Sequence, residues 1–244
     1  MARLLWTQRQ DMGPAQRERH AMAYDSARQR TVLFGGIQAR PTQLAGDTWE
    51  WNGEYWTQVE DIGPRPRRSH VMVYDVARAQ VILFGGLIGP GVNGETWAWD
   101  GQAWTQLADI GPSSRYASCM AYDSVRERVM LFGGTGGTGG AGGEQETWEW
   151  DGVEWTQRAD DGPPGRSDAA MAYDEIRQRL VVFGGASAGN LKLHDTWEFD
   201  GVVWTHVADT GPGPRHSAAM AFSGTRTILF GGFSLAADGL NTTV

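Results

Sequence analysis

An all-β fold built from five similar units is predicted by three features of this 244-residue sequence. Phe-Gly-Gly recurs at Phe34, Phe84, Phe132, Phe183 and Phe230, with spacings of 50, 48, 51 and 47 residues. Gly-Pro-x-x-Arg recurs in phase from Gly13, Gly63, Gly111, Gly162 and Gly211, and Trp-Thr from Trp6, Trp56, Trp104, Trp155 and Trp204. Each repeat also holds four short strand signals and no helical periodicity. A period of this length marks solenoids and propellers. A lone four-stranded sheet cannot bury two tryptophans per strand, whereas radial stacking covers both of its faces. The chain therefore reads as a single domain, residues 1–244, forming a five-bladed β-propeller of four-stranded antiparallel blades.

Within the first repeat, strand a is Ala21-Met22-Ala23-Tyr24, closed by Asp25, a residue that opens tight turns by accepting from nearby amides. Arg28 follows and recurs as Arg78, Arg126, Arg177 and Arg226, which points to a structural pairing with that aspartate. Strand b, Val32-Leu33-Phe34, is apolar on both faces, as expected between neighbouring sheets. Gly35-Gly36 then supplies backbone angles or close approaches that other residues resist. In strand c, Thr48-Trp49-Glu50-Trp51, alternation places the two tryptophans on one face and Thr48 and Glu50 on the other. Asn52-Gly53, Asp100-Gly101, Asp151-Gly152 and Asp200-Gly201 are hairpin turns, leading into strand d at Tyr55-Trp56-Thr57-Gln58. All 12 tryptophans occupy repeat positions and read as inter-blade core, with an aromatic sugar platform as the rival reading for a few.

The two ends agree in phase. Asn241-Thr242-Thr243 aligns with Asp195-Thr196-Trp197, and Met1 falls opposite Phe199, so the closing blade is expected to be shared between the N- and C-termini. The closing copy is weak, with Thr243 where a tryptophan stands elsewhere. Such closure would remove open sheet edges. Tyr-Asp, Phe-Gly-Gly and the spaced tryptophan pair in every unit resemble kelch repeats across essentially the whole chain. The resemblance implies a kelch-type propeller. It leaves function open, because adaptors, lectin-like binders and enzymes share the fold, among them a copper-dependent galactose oxidase and an N-acetylneuraminate epimerase.

The formal charge of −8, from 21 basic and 29 acidic side chains, argues against nucleic acid as a partner. No stretch approaches the roughly 18 apolar residues of a membrane span, and no signal peptide is recognised. A cytoplasmic monomer is expected. Cys119, the single cysteine, stands where other repeats carry Ala or Val and reads as a small core residue. Gly-rich 135–143 lacks the Lys-Ser/Thr and helix of a phosphate loop and reads as a surface loop.

Function is expected on the face bearing the b–c and d–a connections, because the b–c loops differ between repeats while the hairpins hardly do. In kelch adaptors, peptides are similarly bound on that face. Arg17, Arg67, Arg115, Arg166 and Arg215 lie there, one per repeat. They either form a positive ring for carboxylates or phosphates, or each pairs with the acid opening strand c (Asp47, Glu95, Glu146, Asp195). Residues that break the repeat carry more information. These are Glu18, Arg68, Tyr116, Ser167 and His216 directly after the arginine, and His20, His70 and Ser118 two positions further on. The three histidines lack a metal-ligand spacing, so no metal and no cofactor is expected. His194 and His206 read as surface residues. The resulting expectation is a binding module for an acidic peptide, protein segment or anionic sugar. The alternative is a carbohydrate-active enzyme of epimerase or lyase type at the same opening, with Glu18 or Asp168 as acid and base. The oxidase pattern is matched only superficially, by Cys119 and Tyr116.

Overall fold

A computed structural model describes residues 12–39, 42–136 and 143–234. Four four-stranded antiparallel sheets follow one another, each in the order a-b-c-d. The first holds Ala21–Asp25, Arg30–Phe34, Thr48–Trp51 and Trp56–Glu60. The second holds Val71–Asp75, Gln80–Phe84, Thr96–Trp99 and Trp104–Ala108. The third holds Cys119–Asp123, Arg128–Phe132, Thr147–Trp150 and Trp155–Ala159. The fourth holds Ala170–Asp174, Arg179–Phe183, Thr196–Phe199 and Trp204–Ala208. The fifth contributes Ala219–Phe222 and Thr227–Phe230. The expected remainder of that fifth blade, Trp6-Thr7-Gln8 and Asn241-Thr242-Thr243 included, lies outside the described residues. So does most of the glycine-rich loop. No α-helix occurs among the described residues, and hence none long and apolar enough to cross a membrane.

Strand a of each sheet packs against strand a of the next, so these strands lie innermost. Each interface joins unlike faces. Ala23, Val32 and Phe34 of the first sheet meet Met72, Leu83, Trp99 and Trp104 of the second. Trp104 lies edge-on to Phe34, with ring centroids 5.2 Å apart, while its indole N–H donates to Thr48 Oγ1 at 2.8 Å. Trp155 with Phe84 and Thr96, and Trp204 with Phe132 and Thr147, repeat this arrangement. A tryptophan there buries a large ring without stranding its donor. The sequence alternation is thus explained: Thr48 faces the next sheet because it receives that sheet's strand d tryptophan. The end faces are different. Met22 and Tyr24 on the first sheet and Ile228 and Phe230 on the fifth are exposed, whereas their counterparts Met72, Tyr74, Ile82 and Phe84 are buried.

The a–b hairpins also join sheets. Asp25 Oδ1 accepts from the Arg28 amide at 3.0 Å and Oδ2 from its guanidinium at 2.6 Å. Arg28 also reaches Glu50 at 2.8 Å. It covers Gly101 in the next sheet's c–d turn, where a Cβ would stand 2.5 Å from the guanidinium carbon. Gly101 is therefore required both for its φ of 97° and for this contact.

One substitution within the repeat leaves a gap. Trp99 Nε1 donates to Glu50 at 3.0 Å, across the first interface. At the second interface Ala98 stands in the place of Glu50, and Trp150 Nε1 is buried with no partner among the described residues. At the third interface Phe199, whose ring carries no N–H, stands in the place of Trp99, and Glu149 instead binds Arg128 and Arg158. An orphaned buried donor costs about 1–3 kcal/mol. Trp150→Phe is accordingly expected to be nearly neutral, and Trp99→Phe to cost about 1–2 kcal/mol. Urea unfolding of the two variants tests the asymmetry, and equal costs would contradict it.

Candidate functional site

The five Gly-Pro-x-x-Arg arginines do not form a ligand-facing ring. Arg67, Arg115 and Arg166 have no exposed surface, and Arg215 is also buried. The Arg17 side chain is 3% exposed. Arg17 holds both carboxylate oxygens of Asp47, at 2.6 and 2.8 Å. Arg67 binds Glu95 at 2.8 Å, Arg115 binds Glu146 at 2.6 Å, and Arg166 clasps Asp195 at 2.7 and 2.8 Å. Each also donates to a Phe-Gly-Gly carbonyl: Arg17 to Gly35, Arg67 to Gly85, Arg115 to Gly133, Arg166 to Gly184 and Arg215 to Gly231. The acids are further fixed by strand c, as when Trp49 Nε1 donates to Asp47 at 2.7 Å. Burial works to raise the pKa of Asp47, Glu95, Glu146 and Asp195. The arginine hydrogen bonds outweigh it and hold all four below the ordinary carboxylate range. The expectation of a five-arginine anion site is thus corrected: these guanidiniums lock the d–a turn to the b–c loop.

The next residues bend the chain toward the axis. Arg19, Ser69, Ala117, Asp168 and Ser217 all adopt left-handed backbone, with φ between 53° and 57°. None is glycine, and such conformations persist only where the surroundings hold them. What holds them is a belt of hydrogen bonds between sheets. Ser69 N–H donates to Arg19 C=O at 2.8 Å, Ala117 to Ser69 at 2.9 Å, Asp168 to Ala117 at 2.8 Å and Ser217 to Asp168 at 2.8 Å.

Inside the belt lies a cavity of about 580 Å³. The first sheet's d–a turn gives it Glu18, Arg19 and His20, and the second gives Ser69, His70 and Val71. Ala117, Ser118 and Asp168 follow from the third and fourth, and His216, Ser217 and Phe233 complete the wall. The structure thus brings together Glu18, His20, His70 and His216 from the sequence expectation, as well as Asp168. It does not bring in Arg68 or Tyr116. Both are half-buried and bridged to the b–c loops, Arg68 to Leu87 and Tyr116 to Thr135, as Glu18 and His216 also are to Ile37 and Phe233, but their side chains are not part of the cavity lining. Arg19, Ser69, Ser217 and Phe233 were missed. For Arg19, Ser69 and Ser217 the signal was positional, since the residue two after each arginine is the belt residue, whereas Phe233 follows Phe-Gly-Gly and bridges to His216.

The histidines differ in state. His70 is 4% exposed and edge-on to Phe34 at 5.6 Å. Burial first, then the nearby Arg67 charge, lower its pKa to about 3, so it is neutral at pH 7. His20 is lowered by burial and by Arg17. His216 stacks on Phe233 at 5.7 Å, and its Nδ1 lies 2.9 Å from Ser217 Oγ. Burial, then Lys192, lower its pKa against the opposing pull of Asp168. Among the described residues no three His, Cys, Asp or Glu side chains are placed to share a metal ion. Cys119 is buried against Met171, with burial raising its thiol to about 12, so it is an inert core group. His206 lies on Trp197 and binds Asp209 at 2.9 Å.

Fold and site together define an all-β, propeller-like protein with a polar cavity at its axis. No family model matches the chain, and no curated protein matches its sequence. Among solved structures, that of YjhT superposes with a TM-score of 0.75 at 14% sequence identity, covering 93% of this chain and 80% of that one. At that identity the likeness supports the propeller-like fold alone.

Proposed function

We propose that this protein is a binding module of kelch type whose ligand enters the axial cavity from the face of the b–c and d–a connections. The observation that carries the reading is a division of labour. Positions that repeat, the five arginines, are consumed by structural ion pairs and hydrogen bonds, whereas most of the positions that break the repeat, Glu18, His20, His70, Ser118 and His216 but not Arg68, Tyr116 or Ser167, line the cavity. Its volume suits a small molecule or the tip of a peptide. Acid recognition would rest on Arg19 and not on the buried arginines.

A thermal-shift screen of acidic peptides, sugars, uronates and phosphates tests this. A ligand at 100 times its dissociation constant adds about 2.7 kcal/mol, or roughly 5–11 °C for a chain of this size. Glu18→Ala, Asp168→Ala and His216→Ala are each expected to change the affinity of whichever ligand binds. A ligand indifferent to all three would overturn the reading. A second reading, catalysis at the same cavity, is favoured by the convergence of Glu18 and Asp168 with His216. Turnover lost in Asp168→Asn with binding retained would establish it.

We further propose a five-bladed ring in which the Ile228–Phe230 face of the fifth sheet closes on the Met22–Tyr24 face of the first. Support comes from the match of these exposed faces to those buried at the other interfaces. Phe230→Asp is then expected to cost about 3 kcal/mol or more. A change within about 0.5 kcal/mol, the usual surface value, would refute closure.

A further inference from the structure

We propose a second interaction surface, separate from the axial cavity, at the outer margin of the interface between the second and third sheets. It fits a basic, extended segment of a partner protein in which an aliphatic side chain stands between lysines or arginines. The first observation is a groove of about 350 Å³ between the end of strand d in the second sheet and the c–d turn of the third. Ile110 from one side and Val153 from the other line it, 84% and 80% exposed. Exposed aliphatics scattered singly need no explanation; two that line one groove from different sheets do. The groove is also preformed. Gly111 lets its turn lie against the Trp155 ring, where a Cβ would stand 2.7 Å from the nearest ring atom. Trp155 is itself tied to Thr96 Oγ1 at 2.8 Å. A surface ordered in advance loses little freedom when a partner docks.

The second observation is that the repeat does not supply this pairing. By sequence position, the first interface matches Ile62 with Gln102, and the third matches Asp161 with Val202. Among the described residues only the second interface sets aliphatic against aliphatic. A packing role would recur with the fold, as the buried arginines do, whereas a partner site need not. The third observation is charge. Asp109 and Glu154 adjoin the two aliphatics and also line the groove, both exposed and neither in an ion pair among the described residues. No lysine or arginine is part of the lining, and the chain as a whole carries a charge of −8. Cations on either side of an apolar anchor complement that rim, while an acidic segment or a second copy of this chain would meet repulsion.

Fluorescence anisotropy with three labelled peptides tests the assignment: one alternating lysine with leucine, one lysine with serine, and one glutamate with leucine. The lysine–leucine peptide is expected to bind about tenfold or more tighter than the other two. Ile110→Ser combined with Val153→Ser is expected to cut its affinity about tenfold or more. The melting midpoint should not move, because both side chains are bare in the folded protein. Asp109→Asn combined with Glu154→Gln is expected to weaken binding and flatten its salt dependence. Val202→Ser, at the equally exposed position of the next interface, is the control and is expected to leave affinity unchanged. Equal binding of the lysine–serine peptide would show attraction by charge alone and overturn the proposal. So would tighter binding of the glutamate peptide, an affinity indifferent to the Ile110 and Val153 substitutions, an equal loss in Val202→Ser, or no binding. A dimer in sedimentation that the Ile110 and Val153 substitutions dissolve would assign the surface to a second copy and overturn it too.

Discussion

Replacing Arg166 with alanine is expected to remove about 3–5 kcal/mol of stability, a large share of what a domain has. The side chain has no exposed surface, and four hydrogen bonds converge on it. Nε donates to Pro164 C=O at 3.0 Å, Nη1 to Gly184 C=O at 3.0 Å and Asp195 Oδ1 at 2.7 Å, and Nη2 to Asp195 Oδ2 at 2.8 Å. Alanine would strand the carboxylate and two carbonyls together. Lysine would not rescue them, because an ammonium lacks the planar fork that serves both oxygens at once. Removing Asp195 as well should recover part of the loss, since the charge left behind is the larger cost. Urea midpoints of Arg166→Ala, Asp195→Ala and the double variant measure this. An Arg166→Ala loss below about 1 kcal/mol would show the pair to behave as a surface salt bridge.

The second large effect is acid sensitivity set by His70. An ordinary histidine titrates near 6.5, whereas burial and the Arg67 charge lower this one to about 3. The folded state therefore binds fewer protons than the unfolded state between those values, and stability rises with pH across that window. The contribution is complete above about pH 6.5 and is lost as pH falls. The loss from this residue alone is about 2 kcal/mol by pH 5 and about 3 kcal/mol by pH 4. His20 and His216, also lowered, act in the same direction. Asp47, Glu95, Glu146 and Asp195 contribute below them, since their depressed pKa values sustain stability until pH falls through the folded value. Comparison with His70→Ser isolates the effect, because serine is what the third sheet uses at this position. The difference between the two proteins is expected to change by about 2 kcal/mol from pH 7 to pH 5. Parallel stability curves would show that His70 is solvated.

The strands were legible because their signals are local. Alternation in Thr48-Trp49-Glu50-Trp51, Asp-Gly at the c–d turns and Asp25 before Arg28 each specify a structure within a few residues, and the observed strands and turns fall there. The candidate site was legible in part. His20, His70, Glu18 and His216 stood out as departures from the repeat, and the cavity gathers them. Arg68 and Tyr116 departed from it equally and share the same backbone bridge to the b–c loop as Glu18 and His216, yet they do not line the cavity. Sequence spacing does not say which side of a bridge faces the axis. The belt residues Arg19, Ser69, Ala117, Asp168 and Ser217 share no side-chain chemistry, because what repeats there is a backbone angle.

By itself the sequence determined the repeat, its strands and turns, and the face on which the loops vary, since each depends on contacts a few residues apart. It also narrowed the arginines to two roles. The tertiary structure alone decided between them, because the choice turns on whether Asp47, Glu95, Glu146 and Asp195, about 30 residues on, arrive within hydrogen-bonding distance in the folded chain. The axial cavity was decided there too: five short turns, far apart in the chain, enclose it only when interleaved tryptophans and phenylalanines bring successive sheets together.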